Sequence, residues 1–425
     1  MNAFNFIVGL WLFYLSWGLL MYWIPLWAVL TFRRRETPFF SESSKVPFIY
    51  IVSTCRDAAS CIPGLIERLK KQNYPSDKFQ ILLVADNCSD NSAAIARSLG
   101  VEVFERTNLQ KMGKGYALNE FFERHLQYQS FDGLILFDID ARVRPDFLTR
   151  VAAYFQNGAM ALQGSTVSKN PNDTMLTKVG DSIQAIIRFH QKGRSLLGLH
   201  PMMIGSHGSA LTRSSLVKLD WCIVTNVSGD DIELGLRCFL RDIPVTYAEN
   251  LAVTNDLPAH ADVVRKQRRR WTRSILRLTA KYVGPLLVKI LQGNLKAIDV
   301  LFNSLLNPSF SNLFILLTLT VALLVPLALW NSAITGFAGL AVLLWMCDIL
   351  YFAIALSSEG TPLRWRDIPR FAAYLCIRGF AFLEGLLSVG SKNWWLTPHE
   401  SEIPKIEATG SQLGDSRLKS LKKSP

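Results

Sequence analysis

Asp138 and Asp140 close the apolar run Gly133-Leu-Ile-Leu-Phe-Asp138-Ile-Asp140, and no other pair in the chain is so clearly placed for chemistry. The run reads as a strand buried on both faces, and such a strand needs a reason to end in charge. In an open parallel sheet, ligands sit beyond the carboxyl ends of the strands. Two hard carboxylates there suit Mg²⁺ or Mn²⁺ held together with a phosphate-bearing ligand. Taken alone, the pair would serve equally well to cap a loop.

Other residues bear on that choice. Thr54-Cys-Arg-Asp57 and Asp86-Asn-Cys-Ser-Asp90 also follow apolar runs, so Thr54 and Asp86 would share the same mouth. Gly113-Lys114-Gly115 opens a helical pattern, offering unpaired N–H groups and a point charge to a phosphate, although the Walker spacing is absent. Gly205-Ser206-His207-Gly208-Ser209 is a small-residue loop that a bulky substrate could approach closely. His207 there is a candidate catalytic group, although a lone histidine in such a loop more often binds or supports. Gly229-Asp230-Asp231 starts another helix, where acids are ordinary capping chemistry. Its position, after the sheet and before a cationic segment, also makes it a source of a carboxylate not spent on metal. That segment, Arg265-Lys-Gln267-Arg-Arg-Arg270-Trp271, directly precedes apolar stretches. Anchoring at a membrane surface is the competing reading, and a nucleic-acid patch is the weaker one.

Alternating patterns position these groups. Strands are expected over 48–54, 80–86, 101–105, 133–140 and 160–167, and helices over 60–72, 92–99, 114–127 and 176–192. This alternation is the signature of a parallel sheet with right-handed crossovers. With 49% hydrophobic and 19% charged residues, the 425-residue chain is too apolar for an ordinary soluble enzyme. Its net charge of +12, from 46 basic and 34 acidic residues, fits nucleic acid, an anionic substrate or an anionic membrane surface, and position must decide among them. The seven cysteines show no C-x-x-C spacing, which points to reduced thiols rather than a zinc site or disulfide framework.

Phe4 to Phe32 carries no charge over 29 residues and precedes Arg33-Arg34-Arg35. As a helix it would reach roughly 43 Å, enough to span a bilayer with tilt, and the arginines would place its end in the cytoplasm. Two further spans are expected over 313–330 and 337–356, with an amphipathic helix over 276–291. Arg364, Arg366 and Arg370 would return the chain to the cytoplasm. The stretch 371–389 carries Arg378 and Glu384, so it reads as an interfacial helix or as a span whose charges face the bundle. The resulting division is an N-terminal span (1–32), a cytosolic domain (46–278), interfacial helices (279–310), C-terminal helices (311–392) and a polar tail (401–425).

In order, Asp86, Lys114, Asp138-Ile-Asp140, Gly229-Asp230-Asp231 and Gln267-Arg-Arg-Arg270-Trp271 resemble the motif set of membrane-embedded family 2 glycosyltransferases. These include the cellulose, chitin, hyaluronan and poly-N-acetylglucosamine synthases. The resemblance covers 48–278 and implies an α/β fold, a cytosolic nucleotide-sugar-binding domain of GT-A type with a mostly parallel sheet, joined to transmembrane and interfacial helices. It implies a UDP-sugar donor held by Thr54, Asp86, Lys114, Asp138, Asp140, Gln267 and Arg270, with Asp138 and Asp140 on Mg²⁺ or Mn²⁺. Asp231 and Asp230 would be the catalytic pair, with Asp231 as the general base. Trp271, Gly205, Ser206 and His207 would meet a glycan or glycolipid acceptor.

The implied activity is that of an inverting hexosyltransferase at the plasma (inner) membrane, extending an exopolysaccharide processively. Single addition to a lipid-linked or short acceptor is the alternative. The bilayer is an expected partner and nucleic acid is not, while a homo-oligomer or export partner is left open. A transporter or a decayed binding protein is the reading from another class. Acids at every matched position argue against decay, and only three or four expected spans argue against a carrier.

Overall fold

Successive side chains of Ile49–Cys55 (β1) turn to opposite faces of a central sheet. Ile49 and Ile51 join one apolar cluster, Tyr50 and Val52 another. The computed structural model describes residues 3–32, 37–42, 45–201, 207–224, 229–306, 310–361 and 367–388. The expected Arg33-Arg34-Arg35 triplet, Gly205, Ser206, Arg364, Arg366 and the tail from Ser401 lie outside these residues.

After the apolar helix Ala3–Thr31 (α1) and β1 come Ile62–Lys70 (α2), Phe79–Asp86 (β2), Ser92–Ser98 (α3), Glu102–Arg106 (β3) and Lys114–Arg124 (α4). Gly133–Asp138 (β4), Arg142–Val143 (β5), Phe147–Gln156 (α5), Ala161–Ser168 (β6) and Met175–Leu196 (α6) follow. Then come His207–Thr212 (β7), Arg213–Lys218 (α7), Asp230–Leu240 (α8), Val245–Asn255 (β8) and Ala261–Leu291 (α9). The last helices are Lys296–Leu301 (α10), Phe310–Trp330 (α11), Thr335–Ser358 (α12) and Ile368–Leu387 (α13).

The sheet order is β3-β2-β1-β4-β7-β6-β8-β5. The first four strands are parallel, as is the β6–β8 pair, whereas β7 runs antiparallel to β4 and β6, and β5 antiparallel to β8. The expected strands and helices are all present, with ends shifted by a few residues. Missed in the sequence are β5, α5, β7, α7 and β8. The eleven residues of β8 mix Thr, Glu and Asn among its apolar side chains, so no apolar run announces it. The reading of 276–291 as a separate amphipathic helix needs correction, because α9 is one continuous helix of 31 residues that includes the cationic segment.

Register brings the site residues together. Thr54 pairs with Asp138, and Cys55 with Ala85 just before Asp86, so Thr54, Asp86 and Asp138 lie at the carboxyl ends of three neighbouring parallel strands. Phe121 and Phe122 of α4 are completely buried against the sheet, each stabilising by roughly 1.5–3 kcal/mol, and this docking fixes the amino end of α4 that carries Lys114.

Three helices are long and apolar enough to cross a membrane among the described residues: 3–31, 312–330 and 332–358. Between them and the sheet lies α6, begun by a Thr174–Thr177 capping box. Its Ile183, Ile186 and Phe189 pack into the same cluster as Leu15, Leu19 and Leu26 of α1 and Tyr351 of α12. Ion pairs secure it further: Arg188 and Lys192 both meet Glu359 beyond α12, and Arg194 meets Asp299 of α10. In α13, Glu384 pairs with Arg265 of α9, and Arg268 of α9 donates to the Tyr374 hydroxyl. The Glu384 carboxylate of this ambiguous stretch therefore faces a neighbouring helix.

The contact between α1 and α6 leaves no room for a methyl group at Gly193, where a Cβ would lie 2.1 Å from the Pro25 carbonyl oxygen. Backbone cannot rotate away as a side chain can. Gly193→Ala is expected to lower stability by about 1–3 kcal/mol, read as a lower thermal midpoint in detergent. Gly336→Ala in α12, with nothing within 4 Å of the added carbon, should be neutral or mildly stabilising.

Candidate active site

A single cavity of about 870 Å³ opens at the carboxyl ends of the parallel strands. Thr54, Asp86, Lys114, Asp138, Asp140, Asp230, Asp231, Gln267, Arg270 and Trp271 all line it. Residues spread over more than two hundred positions of sequence thus converge on one space. His207 lies in β7 opposite Phe137, at a bulge beside the end of β4, which places its backbone next to Asp138. Gly205 and Ser206 fall outside the described residues.

Lys114 stands at the centre of the charge pattern. Its Nζ lies 2.5 Å from Asp138 Oδ1 and 4.0 Å from Asp230 Oδ2. Burial disfavours its ammonium, yet the carboxylates of Asp138, Asp230 and Asp231 outweigh that and raise its pKa above the ordinary lysine value. Lys114 is therefore a fixed cation. Arg270 faces the same three acids; burial lowers its pKa, the acids oppose the shift, and its buried Nε has no hydrogen-bond partner. A desolvated guanidinium aimed into a cavity is suited to a phosphate group.

Local structure explains how the acids are held. Gly229 precedes α8 at φ +82°, in the left-handed region, where a Cβ would press within 3.1 Å of Leu278 and Ser274 of α9. Asp230 and Asp231 then occupy the first turn of α8, where the helix dipole favours carboxylates. One step further, the fully buried Glu233 accepts from Lys281 Nζ and from the Tyr282 hydroxyl, each at 2.7 Å. This clamp ties α8 to α9 and so holds Asp231 at a fixed distance from Arg270. Sequence reasoning missed Glu233, Lys281 and Tyr282, because their partnership spans 48 positions and carries no local motif.

The cationic helix divides its residues between two faces. Gln267, Arg270, Trp271 and Ser274 recur at helical spacing along the cavity, while Arg265 turns to Glu384 of α13. Trp271 remains 40% exposed, and the Arg268 guanidinium lies 4.3 Å from its ring centroid. An aromatic face presented this way suits stacking on a sugar ring.

Asp86 is placed at the cavity but is only 4% exposed. Its carboxylate accepts from Arg106 Nη1 at 2.6 Å, from Asn87 Nδ2 at 2.7 Å and from the Gly113 backbone N–H at 3.2 Å. Arg106 also reaches Glu120 and the Lys111 carbonyl. Asp86 thus organises the loop that leads to Lys114. The only hint of Arg106 in the sequence is its place at the end of a strand. Arg106→Leu leaves two carboxylates without their buried partner, an expected loss of about 3–5 kcal/mol, measurable by chemical denaturation with UDP affinity followed in parallel.

Oxygen-only donors of Asp138 and Asp140 fit a hard divalent cation, and the ammonium already drawn to Asp138 shows that the carboxylate attracts positive charge. Among the described residues, another set that could hold a metal is Asp57, Cys88 and Asp90.

Residues 47–274, more than half of the 425, match the family described as Glycosyltransferase like family 2, and the chain belongs to that family. It is similar to a beta-monoglucosyldiacylglycerol synthase of Synechocystis sp., 26% identical over 238 residues that cover 54% of this chain and 48% of the relative. It is also similar to glucomannan 4-beta-mannosyltransferase 7 of Arabidopsis thaliana, 27% identical over 51% of this chain and 40% of that protein. The chain thus spans about half the length of the curated relatives it matches. Among solved structures, the mannosyltransferase PcManGT of Pyrobaculum calidifontis, in complex with GDP-Man and Mn²⁺, aligns with a TM-score of 0.54 at 15% identity. The alignment covers 89% of this chain and 98% of that one, so the two share a fold.

Proposed function

We propose that the protein is a membrane-anchored, inverting hexosyltransferase that moves one sugar from a UDP-sugar to the headgroup of a membrane lipid on the cytoplasmic side of the plasma membrane. The observation that carries this reading is the lining of the cavity. Its wall joins Asp138, Asp231, Arg270 and Trp271 with Ile183, Ile187 and Gln191 of α6 and Tyr374 of α13. Those helices pack on the apolar helices α1, α11 and α12, so an acceptor head would enter from the lipid side. Leu287, Val288, Leu291 and Leu295 are exposed near the end of α9 and would rest on the bilayer surface.

Single addition takes precedence over processive extension on two grounds. About 870 Å³ is the size of a small-molecule pocket, room for a donor and one acceptor unit rather than a long chain. Similarity to glycolipid synthases points the same way. Similarity to a glucomannan transferase keeps chain extension as the second reading.

The chemistry follows from the groups in place. Asp231 accepts the proton of an acceptor hydroxyl as its oxygen attacks the anomeric carbon. The bond from that carbon to the diphosphate oxygen breaks, and the pair of electrons leaves with UDP. Arg270 and Lys114 face the developing negative charge without having to reorganise. Asp138 and Asp140 would hold Mg²⁺ or Mn²⁺, which when bound supplies further electrostatic stabilisation to the diphosphate. With Asp231 acting as base, a single displacement inverts the anomeric configuration.

The test is product sizing after incubation in lipid nanodiscs with radiolabelled UDP-glucose and UDP-N-acetylglucosamine. Label in one organic-soluble band carrying a single sugar is expected. Label in a high-molecular-weight polymer would move the assignment to the second reading, and no transfer from either donor would remove the UDP-hexose assignment.

A further inference from the structure

The nucleotide end of the cavity holds a feature that transfer chemistry does not use. Cys55 is the last residue of β1 and Cys88 lies two residues beyond β2, yet their sulfurs stand 3.9 Å apart. Cys88 Sγ also lies 3.6 Å from the Cys55 carbonyl oxygen. Two turns bring the thiols together, and each contains a residue with a side chain in the left-handed region, Asp57 at φ 50° and Asn87 at φ 55°.

Both turns are laced in place. Asp57 Oδ1 accepts from the Ser89 N–H at 2.6 Å, the Ser89 hydroxyl at 3.0 Å and the Asp90 N–H at 3.2 Å. Asp90 accepts from the Ala59 and Ser92 N–H groups. The carboxylates beside Cys88 thus hold the two turns in place, and with them the paired sulfurs.

We propose that Cys55 and Cys88 are a redox-modification site, forming a reversible disulfide that distorts the nucleotide end of the cavity. The two thiols lie within hydrogen-bond reach, with either sulfur able to donate, and the contact with Cys55, joined by the Asp57 N–H, lowers the Cys88 pKa despite partial burial. Its partner moves the opposite way: the same thiol contact, then burial, raise the Cys55 pKa. Cys88 is the more exposed of the two, so it is the attacking thiolate.

With a small disulfide such as glutathione disulfide as oxidant, the Cys88 thiolate attacks one sulfur and expels one glutathione thiolate. Cys55 then loses its proton, attacks Cys88 Sγ and expels the second. Two protein thiols are oxidised and one external disulfide is reduced to two thiols. The sulfurs close from 3.9 Å to about 2.05 Å. That shift falls next to Thr54 and one residue from Asn87, which bonds Asp86 and Asn108. A displacement of about 1 Å near a reacting centre costs on the order of 10²-fold in turnover.

This inference rests on the donor reading of the cavity, so its test has a readout independent of transfer. The full-length protein in nanodiscs is equilibrated with glutathione disulfide, digested without reduction and analysed by mass spectrometry. UDP affinity and UDP release are measured before and after dithiothreitol. A Cys55–Cys88 linked peptide is expected, with a loss on the order of 10²-fold in UDP release that dithiothreitol restores. Within each variant, the oxidised-to-reduced ratio should return to unity in Cys88→Ser and Cys55→Ser and stay low in Cys61→Ser. A bond to Cys61, glutathione remaining on Cys88, or a linked peptide without loss of UDP affinity or release would each overturn it. Linkage with loss of UDP affinity but no transfer from any donor would uphold it while the functional proposal fails.

Discussion

Asp231→Asn is expected to bind UDP normally and to turn over donor about 10²–10⁴-fold more slowly, a barrier increase of roughly 3–5 kcal/mol. The substitution keeps shape and hydrogen-bonding reach while removing the capacity to accept a proton. It leaves Glu233, Lys281 and Tyr282 in place, so α8 stays docked on α9. Asp230 is the informative control. Its carboxylate lies 4.0 Å from Lys114 Nζ and helps to position that side chain, so Asp230→Asn should weaken UDP binding more than it slows turnover. Initial rates of UDP release, with UDP affinity by calorimetry, separate the two effects. Near-normal turnover in Asp231→Asn would remove it as the base.

Arg270→Met removes the buried cation that, under the proposed function, would face the departing diphosphate, and an expected loss of about 10²–10³-fold in turnover follows, comparable with deleting one preorganised donor from an oxyanion site. The side chain is desolvated and its Nε has no hydrogen-bond partner, so methionine replaces its bulk, while Lys114 remains beside Asp138 and Asp230. Arg270→Lys should recover little, because a compact ammonium cannot reproduce a fork of donors on two phosphate oxygens. Steady-state kinetics on both variants checks this. Retained turnover in the methionine variant would show that leaving-group charge is met elsewhere.

Much of the site was legible in the sequence because its chemistry is concentrated at element boundaries. The apolar runs ending at Thr54, Asp86 and Asp138 became neighbouring parallel strands in register, so the acids met as the alternating pattern required. The start of α8 at Asp230 and the spacing of Gln267, Arg270 and Trp271 on one helix face likewise follow from local rules. What stayed hidden depends on tertiary partners. Arg106 gains its meaning only when β3 pairs with β2 and sets it opposite Asp86, and Glu233 only when α9 folds back over α8. The thiols of Cys55 and Cys88 are 33 positions apart and share no spacing motif, yet the parallel pairing of two strands brings them together. The antiparallel insertion of β7 was missed for a related reason. A short strand of small residues has little apolar signal of its own and is defined by the bulged edge of β4 that it joins.

The most direct test of the central claim is a cryo-electron microscopy structure with UDP and Mn²⁺ bound in nanodiscs. The diphosphate should lie between Asp138–Asp140 and Arg270, with Asp231 and Trp271 bordering the open side where an acceptor enters. A nucleotide seated on any other surface, with Asp231 and Arg270 remote from its phosphates, would contradict it.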